Sequence, residues 1–418
     1  MNTRDQKRVE KFQRKTTRPI AVVCDLGLSG YATMLSLGRE GVPVLGVTHN
    51  LKSEGAYSKY CLALESPNPE TQEHEYVEYL LELGRQLKEK AVLYATSDTA
   101  ALLLCKMKDI LEPYFIFPIS PHAIVEILGR KERFSSELKR CGFPHPKTYT
   151  PDELGSLAEI GEDVGFPCII KPLDCAKFSR QYQKKAIPAN NLEELIRICD
   201  MVARDGHDVI IQEMIPGPDN QLHLVHAYFN ASSETLGIFT FRRIRAYPLE
   251  FGTGSMCVAI WIPSLASQVK EFIKQIGYHG IIDAELKLDP RDNQFKFIEI
   301  NPRPAWQIRL STRCGVNVPY LAYRDAIGEK VSKQTPTLNE VKWIAMHYDM
   351  KASYEAMKLK QLTIREYMRS LVGGIEWAVF AWDDPLPFLF VMKKVTYAGL
   401  SKVLRLVFRP GQASSKQL

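Results

Sequence analysis

The sequence predicts a chain of two unlike parts, an N-terminal α/β domain and then an α+β domain, with a C-terminal extension behind them. Three observations carry this reading. The chain opens with a short apolar run, a glycine turn, a helix and a second apolar run, which is a βαβ unit and implies a parallel sheet. Beyond about residue 130 the pattern changes to alternating strands joined by hairpin turns. The 418 residues also exceed one small module, at roughly 100–200 residues per domain.

Residues 1–18 read as a basic tail without the apolar core of a secretory signal. Pro19–Cys24 (PIAVVC) is a short buried strand, DLGLSGYATMLSLGREG a glycine turn and a helix ending at Gly41, and Val42–Val47 the next strand. Residues 70–90 read as helix, Ala91–Ala95 as the third strand and Thr99–Asp109 as helix, which sets an α/β domain over 19–128. The Gly27/Gly30 turn could hold a substrate's anionic group at a helix N-terminus. It lacks the third glycine of a dinucleotide fingerprint, and a plain structural turn is the alternative. Ser97-Asp98 follows the third strand, at the carboxyl end where α/β sheets bind ligands. Asp98 could hold an ammonium there, or the pair could simply start a helix.

The second domain is expected over 129–330. Phe166–Lys171 (FPCIIK) is a strand ending in a lysine, Leu192–Arg204 a helix with an apolar face, and Val209–Met214 (VIIQEM) a strand stopped by Pro216-Gly217. Gln221–Asn230 and Thr235–Phe241 pair across an Asn-Ala-Ser-Ser-Glu turn, and Asp283–Leu288 pairs with Lys296–Ile300 across DPRDNQ. Residues 331–418 form the extension. It ends in a basic, partly amphipathic tail, Lys393–Arg409, which would suit an anionic lipid surface or pack on the protein itself.

The net charge of +6 comes from the ends of the chain. Residues 1–18 carry +5 and 391–418 carry +6, leaving −5 for the 372 residues between. An acidic body disfavours a nucleic-acid groove. The most apolar stretch, Ile375–Met392, is broken by Asp383, Asp384, Pro385 and Pro387, so a spanning helix is not expected. Nine scattered cysteines without a CxxC read as reduced thiols, as expected of a cytoplasmic protein.

Chemistry concentrates in the last hairpin. Strand alternation places Glu299 and Asn301 on one face, with Glu285 brought across from them and Ile298 and Ile300 pointing away. Two carboxylates and an amide are hard oxygen donors that suit Mg²⁺ bridging nucleotide phosphates. A solvated polar face is the alternative. Arg303 continues the same alternation and could meet a phosphate bidentately. Lys171 closes an apolar strand, where an ammonium needs an anionic partner. Arg243 and Arg245 would share a face beside this site and hold a carboxylate or an acylphosphate, unless they mark an exposed basic edge.

VIIQEMIPGPD, FPCIIKP and FIEINPRP, in the order lysine strand, hinge, metal hairpin, resemble the ATP-grasp superfamily, whose domain clamps ATP between two lobes. GRKERF, FRRIRAYPLEFGTG, EINPRPAWQ and DDPLPF resemble its carboxylate–amine ligase branch, which includes D-aspartate ligase. The resemblance implies that Lys131 and Lys171 contact ATP phosphates, and that Gln212, Glu213 and Met214 read adenine. It likewise implies that Asp219 holds the ribose and that Glu285, Glu299 and Asn301 bind Mg²⁺. It further implies an ADP-forming ligase that joins a small carboxylate to an amine, such as an amino acid to a surface-glycan or wall precursor. An ATP-dependent carboxylase using bicarbonate and a non-catalytic ATP-binding module are the alternatives, and a homodimer is the default oligomer. The segment 172–190, where the family has a glycine-rich lid, has no glycine here.

Overall fold

Successive strands of the first 116 residues all run the same way. The computed structural model describes residues 1–249 and 251–395. Strands β1 (Ala21–Cys24), β2 (Val44–Thr48), β3 (Cys61–Glu65), β4 (Ala91–Ala95) and β5 (Phe115–Ile116) form a parallel sheet in the order β3-β2-β1-β4-β5. Alternation along β1 sends Val23 to the face covered by Tyr31 and Leu35, and Val22 to the face covered by Tyr76 and Leu80. Sequence reading passed over β3, so Ala91–Ala95 is the fourth strand. The reason is its half-exposed first two residues, which weaken the apolar run.

Residues 3–13, expected within a tail, form a helix capped by Asn2. It docks on this domain through the fully buried Val9, while Gln13 donates to Gln86 O and accepts from Lys88 N. The glycine turn is structural. The Gly27 N–H already bonds the Asp25 carboxylate at 3.0 Å, and a Cβ on Gly30 would lie 1.9 Å from Asp25 O. A carboxylate at that helix start disfavours a second anion there.

The second part contains two layers, antiparallel but for the β15–β16 pair of the larger one. Strands β6 (Thr148–Tyr149), β7 (Cys168–Pro172), β8 (Ile187–Ala189) and β9 (Val209–Glu213) form a small sheet, ordered β6-β9-β7-β8. Helices Leu157–Val164 and Leu192–Arg204 cover it around Ile160, Leu195 and Ile198. The large sheet contains β10 (Leu222–Phe229), β11 (Thr235–Tyr247), β12 (Thr253–Ala259), β13 (Gly280–Asp289), β14 (Gln294–Asn301), β15 (Lys342–Ile344) and β16 (Ile375–Trp377), ordered β14-β13-β10-β11-β12-β15-β16. One face packs on helix Pro263–Ile276 through Val269 and Phe272. The other shares a continuous core with the N-terminal domain, where Leu224, Phe241 and Trp343 join Tyr31 and Leu35.

Residues beyond 330 are not a separate appendage, because β15 and β16 extend the large sheet. Among the described residues no helix is long and apolar enough to cross a membrane. Most of the Lys393–Arg409 tail, from 396 on, lies outside the described residues.

Candidate active site

The hairpin β13–β14 builds the floor. Its register sets Glu285 directly opposite Glu299 and Asp283 opposite Asn301, so all four side chains project from one face. A bulge then shifts the register next to Glu285. It is why Ile298, expected to point with Ile300, packs instead into the core shared with the N-terminal domain, while Ile300 packs with Phe297 and Leu286. Burial and then the Glu299 charge push the Glu285 carboxyl up to about 8, with Arg243 opposing the shift.

The small sheet supplies the opposite wall. Lys171, on β7, donates to Gln212 Oε1 at 2.7 Å, and Gln212 donates in turn to Thr148 Oγ1 at 2.9 Å. Burial lowers the Lys171 pKa and the Glu299 charge partly restores it, so the ammonium of one lobe faces the carboxylates of the other. Lys131 lies beside it and donates to Pro172 O at 3.0 Å and to Cys175 Sγ at 3.1 Å. The Glu213 carboxylate is taken by Arg291 and the Lys147 N–H, which leaves its backbone and half-buried Met214 on the strand leading to the Pro216-Gly217 turn. Lys287 Nζ pins that turn by donating to Ile215 O and Gly217 O, each at 2.8 Å. Asp219 accepts from Arg243 Nη2 at 3.1 Å.

The three arginines part company. Arg243 turns toward the site, between Asp219 and Glu285. Arg245 does not join it. Arg243 pairs with Cys257 but Arg245 pairs with the adjacent Met256, so a bulge at Ile244 turns Arg245 to the opposite face. There it makes two 2.8 Å bonds to the fully buried Asp349 and a third, of 3.0 Å, to Ser370. Arg303 stays at the rim. It grips Asp98 of the N-terminal domain bidentately, at 2.7 and 3.0 Å, while Ser97 caps the helix that Asp98 begins. Asp98 therefore ties the two parts together and is not free for a substrate ammonium. The Asp98 side chain is 58% exposed, so Asp98→Asn should lower unfolding free energy by about 1 kcal/mol or less, read by urea titration.

Sequence reading missed three side chains. Asp283 and His226 sit opposite each other on β13 and β10, buried, with His226 Nε2 3.4 Å from Asp283 Oδ1 and neither atom hydrogen-bonded. Asp283 was within reach, because it stands two residues before Glu285 on the same alternation. Lys185 reaches Thr253 Oγ1 at 3.0 Å, and its charge lowers the Glu285 pKa. It comes from the glycine-free segment, which is not an open loop. Helix Cys175–Tyr182 begins there on Asp174, and Lys177, Gln181 and Tyr182 fasten it to Gly206 and Asp205.

Among the described residues no cluster of three or more His, Cys, Asp or Glu side chains is set to hold a metal. The candidate donors are two carboxylates and one amide. Mg²⁺ commonly accepts one or two protein carboxylates and takes its other oxygens from phosphates and water, so the set fits that ion. Burial and then the facing Glu299 charge raise the Glu285 pKa, and a dication held there would favour its ionised form.

A lysine lobe facing a carboxylate hairpin, behind a parallel α/β domain, is the arrangement of an ATP-grasp fold. A family model described as ATP-grasp in the biosynthetic pathway with Ter operon matches residues 253–347. The chain is similar to the D-aspartate ligase of Enterococcus faecium, 25% identical over 274 residues, which cover 62% of this chain and 65% of that protein. It thus spans just under two thirds of that relative's length. Two solved structures share the fold. The biotin carboxylase domain of the Hydrogenobacter thermophilus 2-oxoglutarate carboxylase, solved with MgADP, ADP and bicarbonate, gives a TM-score of 0.60 at 15% identity, covering 77% of this chain and 72% of that one. An L-amino acid ligase from Bacillus licheniformis gives 0.59 at 13% identity, covering 76% of each chain.

Proposed function

We propose that this chain is an ATP-dependent, ADP-forming ligase that joins a small carboxylate to an amine. The observation that carries the proposal is the Lys171 ammonium of the small lobe facing the Glu285–Glu299 pair of the large one. In this reading residues 129–330 are the nucleotide-binding unit, completed by β15 and β16, and 19–128 supply the substrate side. Lys131 and Lys171 hold the phosphates of ATP. Gln212, the Glu213 backbone and Met214 take the adenine, and Asp219 takes the ribose. Glu285, Glu299 and Asn301 would hold Mg²⁺, whose contribution when bound is to neutralise charge on the phosphates.

A carboxylate is a poor acyl donor. Its oxygen attacks the γ-phosphorus, ADP leaves, and the acylphosphate is then attacked by the amine nitrogen, releasing phosphate and a proton. Most of the acceleration is positioning and fixed charge. Arg243 and Lys185 are the cations beside Glu285 that would meet the transferring group, and Arg303 would act at the rim. Helix Cys175–Tyr182 and the residues up to Lys185 would shield the acylphosphate from water. Bicarbonate-dependent carboxylation shares the first step, but similarity to D-aspartate ligase favours an amine acceptor. Amino-acid transfer to a surface glycan or wall precursor, and assembly as a homodimer, extend the proposal.

Lys171→Ala tests the nucleotide site. Calorimetry should show Mg-ATP binding weakened about 10- to 100-fold, the value of one or two charge-assisted hydrogen bonds. The melting temperature should hold or rise, because an ammonium whose charge is opposed by burial is removed. Unchanged ATP affinity would remove Lys171 from the site.

A further inference from the structure

Exposed apolar side chains of this chain are concentrated at one end. Of nineteen exposed large hydrophobics among the described residues, eleven lie between Met350 and Val395. Their spacing is helical. On helix Ile364–Ser370, Ile364 is 72% exposed and Met368 one turn later 58%, and Val372, just past the helix, is 71% exposed. Arg365 and Arg369 form an exposed stripe beside them. Helix Met346–Lys358 repeats the arrangement, with Met350 and Tyr354 exposed at the same interval and Lys351 and Lys358 exposed beside them. Trp382, 90% exposed, precedes a helix over 386–395 from which Leu386 and Leu389 project.

Most acids of this end are engaged within the protein, while Glu355 is half-buried and Glu366 exposed. Asp349 is held by Arg245, Glu376 by Arg309, Asp383 by Arg39, and Asp384 by Ser58. The Glu366 carboxylate closes its own helix cap on Thr363. What reaches solvent is predominantly basic. Lys351 and Lys394 both act, after burial, to lower the His347 pKa, which sets the end of the 386–395 helix beside the start of helix Met346–Lys358. The following residues, 396–418, add four Lys/Arg and no acid.

Apolar stripes flanked by cations on solvent-facing helices are poorly matched to water and complementary to an anionic lipid interface. There, apolar tips enter the acyl boundary and the cations meet lipid phosphates. We propose that the face formed by residues 350–395 docks this protein peripherally on an anionic membrane surface. The docking is independent of the ligase reading.

Co-sedimentation of the full chain with vesicles tests it, comparing phosphatidylcholine alone with vesicles containing about one third phosphatidylglycerol. Binding should be at least about tenfold stronger to the anionic vesicles and should fall in about 0.5 M salt. The triple variant Ile364→Ser, Met368→Ser, Val372→Ser should lose about tenfold in partition at an unchanged melting temperature, since all three side chains are exposed. No binding to anionic vesicles would overturn the proposal. So would undiminished binding by the triple variant, which would assign the contact to residues 396–418 alone. A concentration-dependent dimer in ultracentrifugation that the triple variant abolishes, without vesicle binding, would make this face a contact between copies and equally overturn it.

Discussion

Glu299→Gln is expected to lose about 10³-fold or more in turnover while the protein without Mg²⁺ becomes more stable. Both effects come from one piece of geometry. Glu299 lies directly across the ladder from Glu285, and two carboxylates so placed repel one another unless a cation intervenes. The neutral amide removes that repulsion, which is on the order of 1–3 kcal/mol at the dielectric of such sites. It equally removes half of the anionic charge available to a dication. Loss of activity with loss of stability would instead mark Glu299 as a packing residue.

The same pair gives the protein without Mg²⁺ a pH dependence. Folding raises the Glu285 pKa from 4.5 to about 8, so between those values the folded state holds a proton that the unfolded chain has released. Stability from this group is therefore fullest below about pH 4.5 and falls as pH rises toward about 8. Mg²⁺ binding, which needs the ionised carboxyl, should strengthen over the same window with release of up to one proton. Urea titrations and Mg²⁺ calorimetry at several pH values check both signs. In Glu299→Gln the stability slope should flatten, because the second cause of the shift is gone.

Asp349→Ala should be among the most destabilising single changes, costing about 3–5 kcal/mol. It leaves Arg245, itself largely buried, without the carboxylate that accepts its Nε–H and Nη2–H. Urea unfolding should show the loss, while the affinity of the remaining folded protein for Mg-ATP should stay within about twofold. Arg243→Met should do the reverse. It faces Asp219 and Glu285, so it should cost about 100-fold in turnover with less effect on stability. If both variants lowered turnover equally at full stability, Arg245 would belong to the site after all.

The contrast between these arginines shows how far the sequence could be read. Period-two alternation was enough to set Glu285, Glu299 and Asn301 on one face, because that part of the hairpin is regular. It failed two residues beyond Arg243, because the bulge at Ile244 leaves no local mark in FRRIRAY and depends on how β12 pairs. A bulge in β14 misdirected Ile298 in the same way. Other omissions had a signal. Asp174 followed by Phe178 and Tyr182 is a helix cap with an apolar i, i+4 pair, yet the lack of glycine drew attention to a lid loop instead. The helix Thr3–Gln13 was hidden by its charge, since only Val9 and half-buried Phe12 reach the core. The Arg303–Asp98 link joins residues 205 positions apart and could not be seen from either segment alone.

The most direct test of the central claim is release of ADP and phosphate by the purified protein with Mg-ATP, across a panel of amino acids and carboxylates, with Glu299→Gln as the blank. The proposal predicts turnover that needs one carboxylate and one amine together and yields ADP and phosphate in equal amounts. AMP and pyrophosphate as products would contradict it, and so would turnover that requires bicarbonate and no amine.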